Sequence, residues 1–215
     1  MRIYISRGRM SIRTMQNTPA DFEQYLTWMQ NPEVMRFWDG MTVHFTQDMV
    51  EAKYRQRVEQ GVMPCFIQLD DKPIGYCQFY PTDAEHYDCP PEQLRQHISP
   101  DARCFGIDLF LDPHHRDQGL GRTVVSLLSR FLFTQQNAQA VLIDPKTHNT
   151  RAIACYKACG FRELFVVPRR EEQDSILHDS LIMALCRPES ASSLASLQKS
   201  AYTELNKDPH PSKED

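Results

Sequence analysis

The sequence predicts an α/β fold: one domain built on a single mixed sheet with helices on its faces. Three observations carry this. From Gly106 to Gly121 the chain runs as apolar strand, Pro113 turn, glycine-containing loop and helix without interruption. Downstream, helical runs over 119–134 and 149–158 alternate with strand-like runs over 140–144, 161–167 and 180–185, which implies at least one parallel step. Finally, 215 residues with 41% hydrophobic and 24% charged side chains suffice for one well-buried domain.

The elements follow in order. Residues 1–9 read as a flexible leader, and Ile12 with Met15 marks a first strand over 10–15. Thr18-Pro19-Ala20-Asp21 is a helix start, with a threonine cap, proline in the first turn and an acid behind it. Phe22, Tyr25, Leu26 and Met29 then share one face. Asn31-Pro32 ends that run, and 34–38 forms a short helical turn. A helix over 46–60 stops at Gly61. A hairpin follows, with strands over 64–69 and 74–80 joined at Asp70-Asp71-Lys72-Pro73. Residues 81–102, with four prolines, read as a long polar loop ahead of the strand 104–111. From Arg187 to the end the composition turns to Ser, Lys, Glu, Asp and Pro, as in a disordered tail, so the domain is expected to span 10–186.

Several function classes are disfavoured. A formal net charge of −4 argues against nucleic acid as the main partner. No run of about 18 apolar residues exists to span a membrane, and no apolar core follows Arg2, Arg7 and Arg9 to make a secretory signal. The seven cysteines include no Cys-x-x-Cys pair and mostly sit in apolar runs, which fits buried thiols in a reducing cytoplasm. His114-His115 lacks an accompanying carboxylate or cysteine cluster, so no metal is expected.

The Gly106–Gly121 stretch carries the chemistry. A helix entered through glycines leaves N–H groups without internal acceptors, and its dipole adds positive potential. Such a turn is built to hold a phosphate or pyrophosphate. The spacing Leu111-x-Pro113-x-x-Arg116-x-x-Gly119-x-Gly121 resembles the acyl-coenzyme A signature of the GNAT acetyltransferase superfamily. Asn149-x-x-Ala152-x-x-x-Tyr156-x-x-x-Gly160-Phe161 is similar to its second signature, one helix and one strand further on. Gly106-Ile107-Asp108 and Asp144-Pro145 with Asn149-x-Arg151-Ala152-Ile153-x-Cys155-Tyr156 are most similar to aminoglycoside 6′-N-acetyltransferases. The resemblance covers Met10 to Leu185 and departs at Asp117, where many members carry glycine.

The resemblance implies a mostly antiparallel central sheet, splayed in the middle, and acetyl-coenzyme A as acyl donor. Coenzyme contacts are expected at Arg116, Gln118, Gly119, Leu120, Gly121, Arg122 and Asn149, with the N–H of Leu111 on the thioester carbonyl. Tyr156 matches the tyrosine that protonates the departing thiolate, though a tyrosine also packs well there. Asp108 matches an aspartate that grips and deprotonates the incoming amine. Siderophore-type relatives usually show histidine at this place. Independently, strand alternation puts Gly106, Asp108 and Phe110 on one face, where a charge is costly unless paired or open to a cleft. Asp108 lies roughly 10 Å from Leu111 at strand rise.

Acids of the 81–102 loop, Asp83 and Asp88 among them, either line a mouth for a polycation or are simply solvated. Trp38 and Asp39 resemble an acceptor-side wall; Trp38 is otherwise a core-edge aromatic. The expected activity is transfer of acetyl to a cationic amine, foremost an aminoglycoside 6′-amine, by direct attack and without a covalent enzyme intermediate. The rivals are a siderophore, polyamine or protein N-terminal acceptor, and a non-catalytic acyl-coenzyme A binding module. The chain is expected to be monomer or homodimer.

Overall fold

The computed structural model describes residues 4–187. Its eight strands form one sheet: β1 (Tyr4–Arg7), β2 (Met10–Thr14), β3 (Met63–Leu69), β4 (Lys72–Thr82), β5 (Cys104–Leu111), β6 (Ala140–Ile143), β7 (Arg162–Gln173) and β8 (Ile176–Cys186). The spatial order is β1-β2-β3-β4-β5-β6-β8-β7. Every neighbouring pair is antiparallel except β5 with β6, which is the parallel step the sequence implies. Six α-helices flank the sheet: α1 (Pro19–Met29), α2 (Pro32–Met35), α3 (Gln47–Glu59), α4 (Pro91–Arg95), α5 (Leu120–Gln135) and α6 (Thr150–Ala158).

The caps form as the side chains dictate. Thr18 Oγ accepts from Asp21 N, Thr46 Oγ from Met49 N and Asn149 Oδ1 from Ala152 N, each filling one of the orphan N–H groups of its helix. Asn31 does not merely break α1; it caps α2, accepting from Glu33 N. In the β3–β4 hairpin both turn residues, Asp70 and Asp71, take positive φ (49° and 62°), the backbone that matches strand twist in a two-residue turn.

Two sequence expectations are corrected here. Residues 4–7 of the supposed leader form an edge strand paired with β2, registered by Ile5 opposite Ile12. The stretch 81–102 is no bare loop. It extends β4 to Thr82, makes a 3₁₀ turn over Glu85–Tyr87 and forms α4. Ala84, Tyr87, Cys89, Leu94 and Ile98 bury against Leu142 and Ile182, so scattered apolar residues give the segment a small core of its own. The tail lies almost wholly outside the described residues.

The sheet's two faces divide the core. Ile107 and, partly buried, Leu109 and Leu111 pack with α5 residues Val124, Leu128 and Leu132 on one side. Phe66, Tyr76 and Phe110 pack with Phe22, Tyr25, Trp28 and Met29 of α1 on the other. Asp108 therefore lies on the α1 side, beside Phe110, as strand alternation requires.

Candidate active site

β5 pairs with β6 only from Cys104 to Gly106, and β5 then continues to Leu111 alone on that side. The wedge opened by this divergence is the centre of a cleft of about 650 Å³, lined by Asp108–Leu111 from one wall and Ile143–Lys146 from the other. Asp112 N donates to Ile74 O across the β4–β5 ladder (2.9 Å). Because antiparallel residues alternate in which side they bond, the N–H of Leu111 points away from β4, into the wedge. The Leu111 carbonyl accepts from Arg116 Nε (3.1 Å), consistent with the same alternation. Gly75 stands opposite Leu111, where a Cβ would meet Phe110 O at 2.4 Å. Only glycine permits this approach of β4 to β5.

One end of the cleft is the N-terminus of α5. Gly119 opens that helix at φ 74° with no side-chain cap, so its first N–H groups are left for another acceptor. Gly121 faces α6, where a Cβ would meet Cys155 Sγ in ordinary contact at 3.4 Å. Gly119, Gly121, Arg122, Asn149 and Tyr156 all line the cleft. Gln118 does not; its amide donates to His114 O (3.0 Å), while Leu120 packs against the core. Arg116 lines the cleft but is already engaged, bonding Leu111 O and Glu33 O (3.2 Å), with Glu33 Oε2 at 3.4 Å. It ties the loop to α2. Asp117 sits at φ 58°, a conformation glycine adopts freely and an L side chain does not, which accounts physically for the usual glycine. Arg151 lies 3.9 Å from its carboxylate.

Asp108 marks the other end. Its carboxylate accepts from Gln78 Nε2 (2.8 Å), and Gln78 is itself oriented by the Tyr76 hydroxyl (2.8 Å). The Tyr80 hydroxyl lies near enough to Asp108 to lower its proton affinity, and its ring crosses Gly106 so closely that a Cβ there would lie 2.4 Å from it. Gly106 thus makes room for the ring that reaches the carboxylate. Burial, and then the charge of nearby Asp144, push the Asp108 carboxyl up to about 7. A carboxylate of that proton affinity is poised to take a proton near neutrality. Tyr156 is buried beside Phe161, and burial raises its hydroxyl well above the ordinary value, so it stays protonated as a donor must.

The remaining expected residues divide. Trp38 lines the cleft, edge-on to Phe110 (5.0 Å), with its indole N–H on the Tyr25 hydroxyl (3.2 Å). Asp39 also lines it, paired with Lys53 (2.8 Å). Asp83 lies outside, in a shallow hollow with Glu85 and His86, and accepts from His86 N (3.2 Å). Asp88 reaches the site only indirectly, 3.3 Å from Arg170, whose guanidinium bonds Asp144 at the cleft wall. Neither loop acid forms the expected mouth, because the loop folds inward on its own core.

Polar cleft residues given no role from sequence include Arg57, Gln78, Asp144, Lys146 and Glu171. Asp144, which with Pro145 entered only through the resemblance, directly follows β6 (Ala140–Ile143) on the wall opposite Asp108. Among the described residues no group of three or more His, Cys, Asp or Glu side chains is placed to hold a metal.

The model of the acetyltransferase (GNAT) domain matches residues 17–167. The chain belongs to the GNAT acetyltransferase family. Acetyl-coenzyme A is accordingly its acyl donor. Two curated relatives, aminoglycoside N(6′)-acetyltransferases type 1 of Klebsiella pneumoniae and Serratia marcescens, are each 28% identical over 159 residues, covering 73% of this chain and 75% of theirs. The crystal structure of aminoglycoside acetyltransferase AAC(6′)-Ib with coenzyme A and kanamycin shares the fold at TM-score 0.65 and 24% identity, over 83% of this chain and 95% of that one. A spermidine N-acetyltransferase from Vibrio cholerae, solved with coenzyme A and spermine, matches at TM-score 0.66 and 16% identity, over 84% and 96%.

Proposed function

We propose that this GNAT enzyme acetylates a cationic amine, the 6′-amine of an aminoglycoside. The observation that carries the reading is Asp108, a carboxylate in the cleft held by neutral donors, its proton affinity raised toward neutrality. A cationic acceptor supplies the direct ion-pair partner that Asp108 lacks among the described residues, Arg57 acting on it only from a distance. The relatives' stated activity supports the same acceptor class.

The ammonium group docks on Asp108 and loses one proton to it, directly or through a water. The freed amine attacks the thioester carbonyl carbon, and its nitrogen, now positively charged, gives up a second proton to solvent. The carbonyl oxygen takes up negative charge against the Leu111 N–H in the wedge. The C–S bond then breaks, and Tyr156 donates its proton to the departing thiolate and regains one from solvent. The products are the N-acetyl amine, free thiol and one proton. Both substrates are bound together, so no side chain is acylated. Cys155, the one cysteine lining the cleft, has its thiol pushed up to about 11 by burial and neighbouring Cys159, the opposite of an activated nucleophile.

The test is product identification. After incubation with acetyl-coenzyme A and kanamycin, two-dimensional NMR should show a single amide at the 6′ nitrogen. Acetylation at a ring amine, or none, would refute the assignment.

A further inference from the structure

The β7–β8 hairpin carries an irregularity between Val167 and Glu171. Val167 pairs with Ser180 and Glu171 with His178, so three residues of β7 face one residue of β8. Within this bulge Arg169 takes φ 52°, held by its N–H on Asp179 Oδ1 (2.8 Å). Bulges re-aim side chains, and a strained backbone is kept where the surroundings enforce it. The side chain re-aimed here is Arg170. It is 9% exposed and bonds Asp144 through Nη1 and His86 O through Nη2 (2.8 Å). Asp88 lies 3.3 Å from Nε and Glu171 3.5 Å from Nη1, with the Tyr87 ring 5.4 Å from the guanidinium carbon.

Arg170 stands behind the cleft wall that Asp144 forms. The other acids of that end are matched as well, Glu171 by Lys146 (3.2 Å) and Asp39 by Lys53 (2.8 Å). Among the described residues no lysine, arginine or histidine forms an ion pair with Asp108, which accepts from the Gln78 amide (2.8 Å). We propose that Arg170 is a specificity-determining residue: as built-in counter-ion of Asp144, it leaves Asp108 as the carboxylate at this end of the cleft that is open to an ammonium group. The acceptor is therefore gripped by a single amine, and further positive charges on it gain nothing at Asp144. This rests on the cationic-acceptor reading above.

The test compares α,ω-diamines of three to six carbons with the amino alcohols of equal length, as ligands of the intact protein measured by calorimetry. Wild-type protein should bind each pair within about twofold, since one ammonium does the work. In Arg170→Gln the freed Asp144 should favour at least one diamine over its amino alcohol about tenfold, and Arg170→Lys should restore parity. With kanamycin the same variant should shift KM more than kcat, as loss or gain of uniform binding does. A tenfold diamine preference already present in wild type would overturn the proposal. So would parity retained in Arg170→Gln alongside a lowered melting temperature, the mark of a purely structural clamp. Should Arg170→Gln not fold, the wild-type comparison still decides. Amine binding with no aminoglycoside turnover would refute the aminoglycoside reading alone. Failure of every amine to bind would remove both.

Discussion

Replacing Asp108 by asparagine separates its chemistry from its place in the fold. Asparagine keeps the shape, can still face Gln78 and Tyr80, and cannot take a proton. Loss of a positioned general base costs on the order of 10²–10⁴ in kcat. Wild-type kcat/KM should fall tenfold per pH unit below about 7, the proton affinity set by burial and Asp144, and the variant should lack that limb. Stability supplies an independent sign. The carboxyl titrates near 3.8 when unfolded and about 7 when folded, so the native state binds the extra proton between those values. The stability attached to the protonated form is present in full below about 4 and gone above about 7. Asparagine carries no such dependence, so the melting temperature of the variant relative to wild type should rise across that window. Pre-steady-state thiol release and differential scanning calorimetry over pH 4 to 9 would read both effects. A variant within threefold of wild-type kcat, with the acidic limb intact, would refute the reasoning.

Three further perturbations follow from the same geometry. Asp117→Gly removes an αL side chain and a negative charge from the mouth of the coenzyme end; the dissociation constant of acetyl-coenzyme A should fall a few-fold and stability rise by about 1 kcal/mol. Tyr156→Phe should lower kcat by about 10- to 100-fold while calorimetry shows coenzyme affinity unchanged, because only the proton donor is lost. Asp21, buried in the first turn of α1, accepts two bonds from Arg13 (2.7 Å each) and one from Gln16 N (2.6 Å). Asp21→Ala should cost about 3–5 kcal/mol in urea unfolding, since it strands a half-buried guanidinium, and should leave coenzyme binding intact in the folded fraction.

What was legible in the sequence follows from how local each cause is. The caps of α1 and α6, the face assignment of β5 and the glycine-led start of α5 depend on a few adjacent residues. They formed as those residues dictate. The edge strand β1 was missed because its partner, not its composition, makes it a strand. The 81–102 segment was misjudged because its prolines and acids outnumber Tyr87, Leu94 and Ile98, whose burial needs β6 and β8 beneath them. The strands expected over 161–167 and 180–185 form but run on into one hairpin, Arg162–Gln173 with Ile176–Cys186; the extension hid in its charges, because Arg169-Arg170-Glu171-Glu172 alternates poorly where a bulge breaks the period. For the same reason Arg170 drew no notice. Its meeting with Asp144 and Asp88 joins three separated parts of the chain, a link no short-range pattern expresses. Asp108 was found because a lone acid in an apolar strand is costly wherever it stands.

The central claim is that a GNAT cleft delivers an acceptor amine to Asp108, and it is tested most directly by thiol release from acetyl-coenzyme A with paired acceptors. Kanamycin carries the 6′-amine; paromomycin carries a hydroxyl there. Turnover with the first and none with the second is the expected result. Equal turnover with both, or turnover with neither while acetyl-coenzyme A still binds, would contradict it.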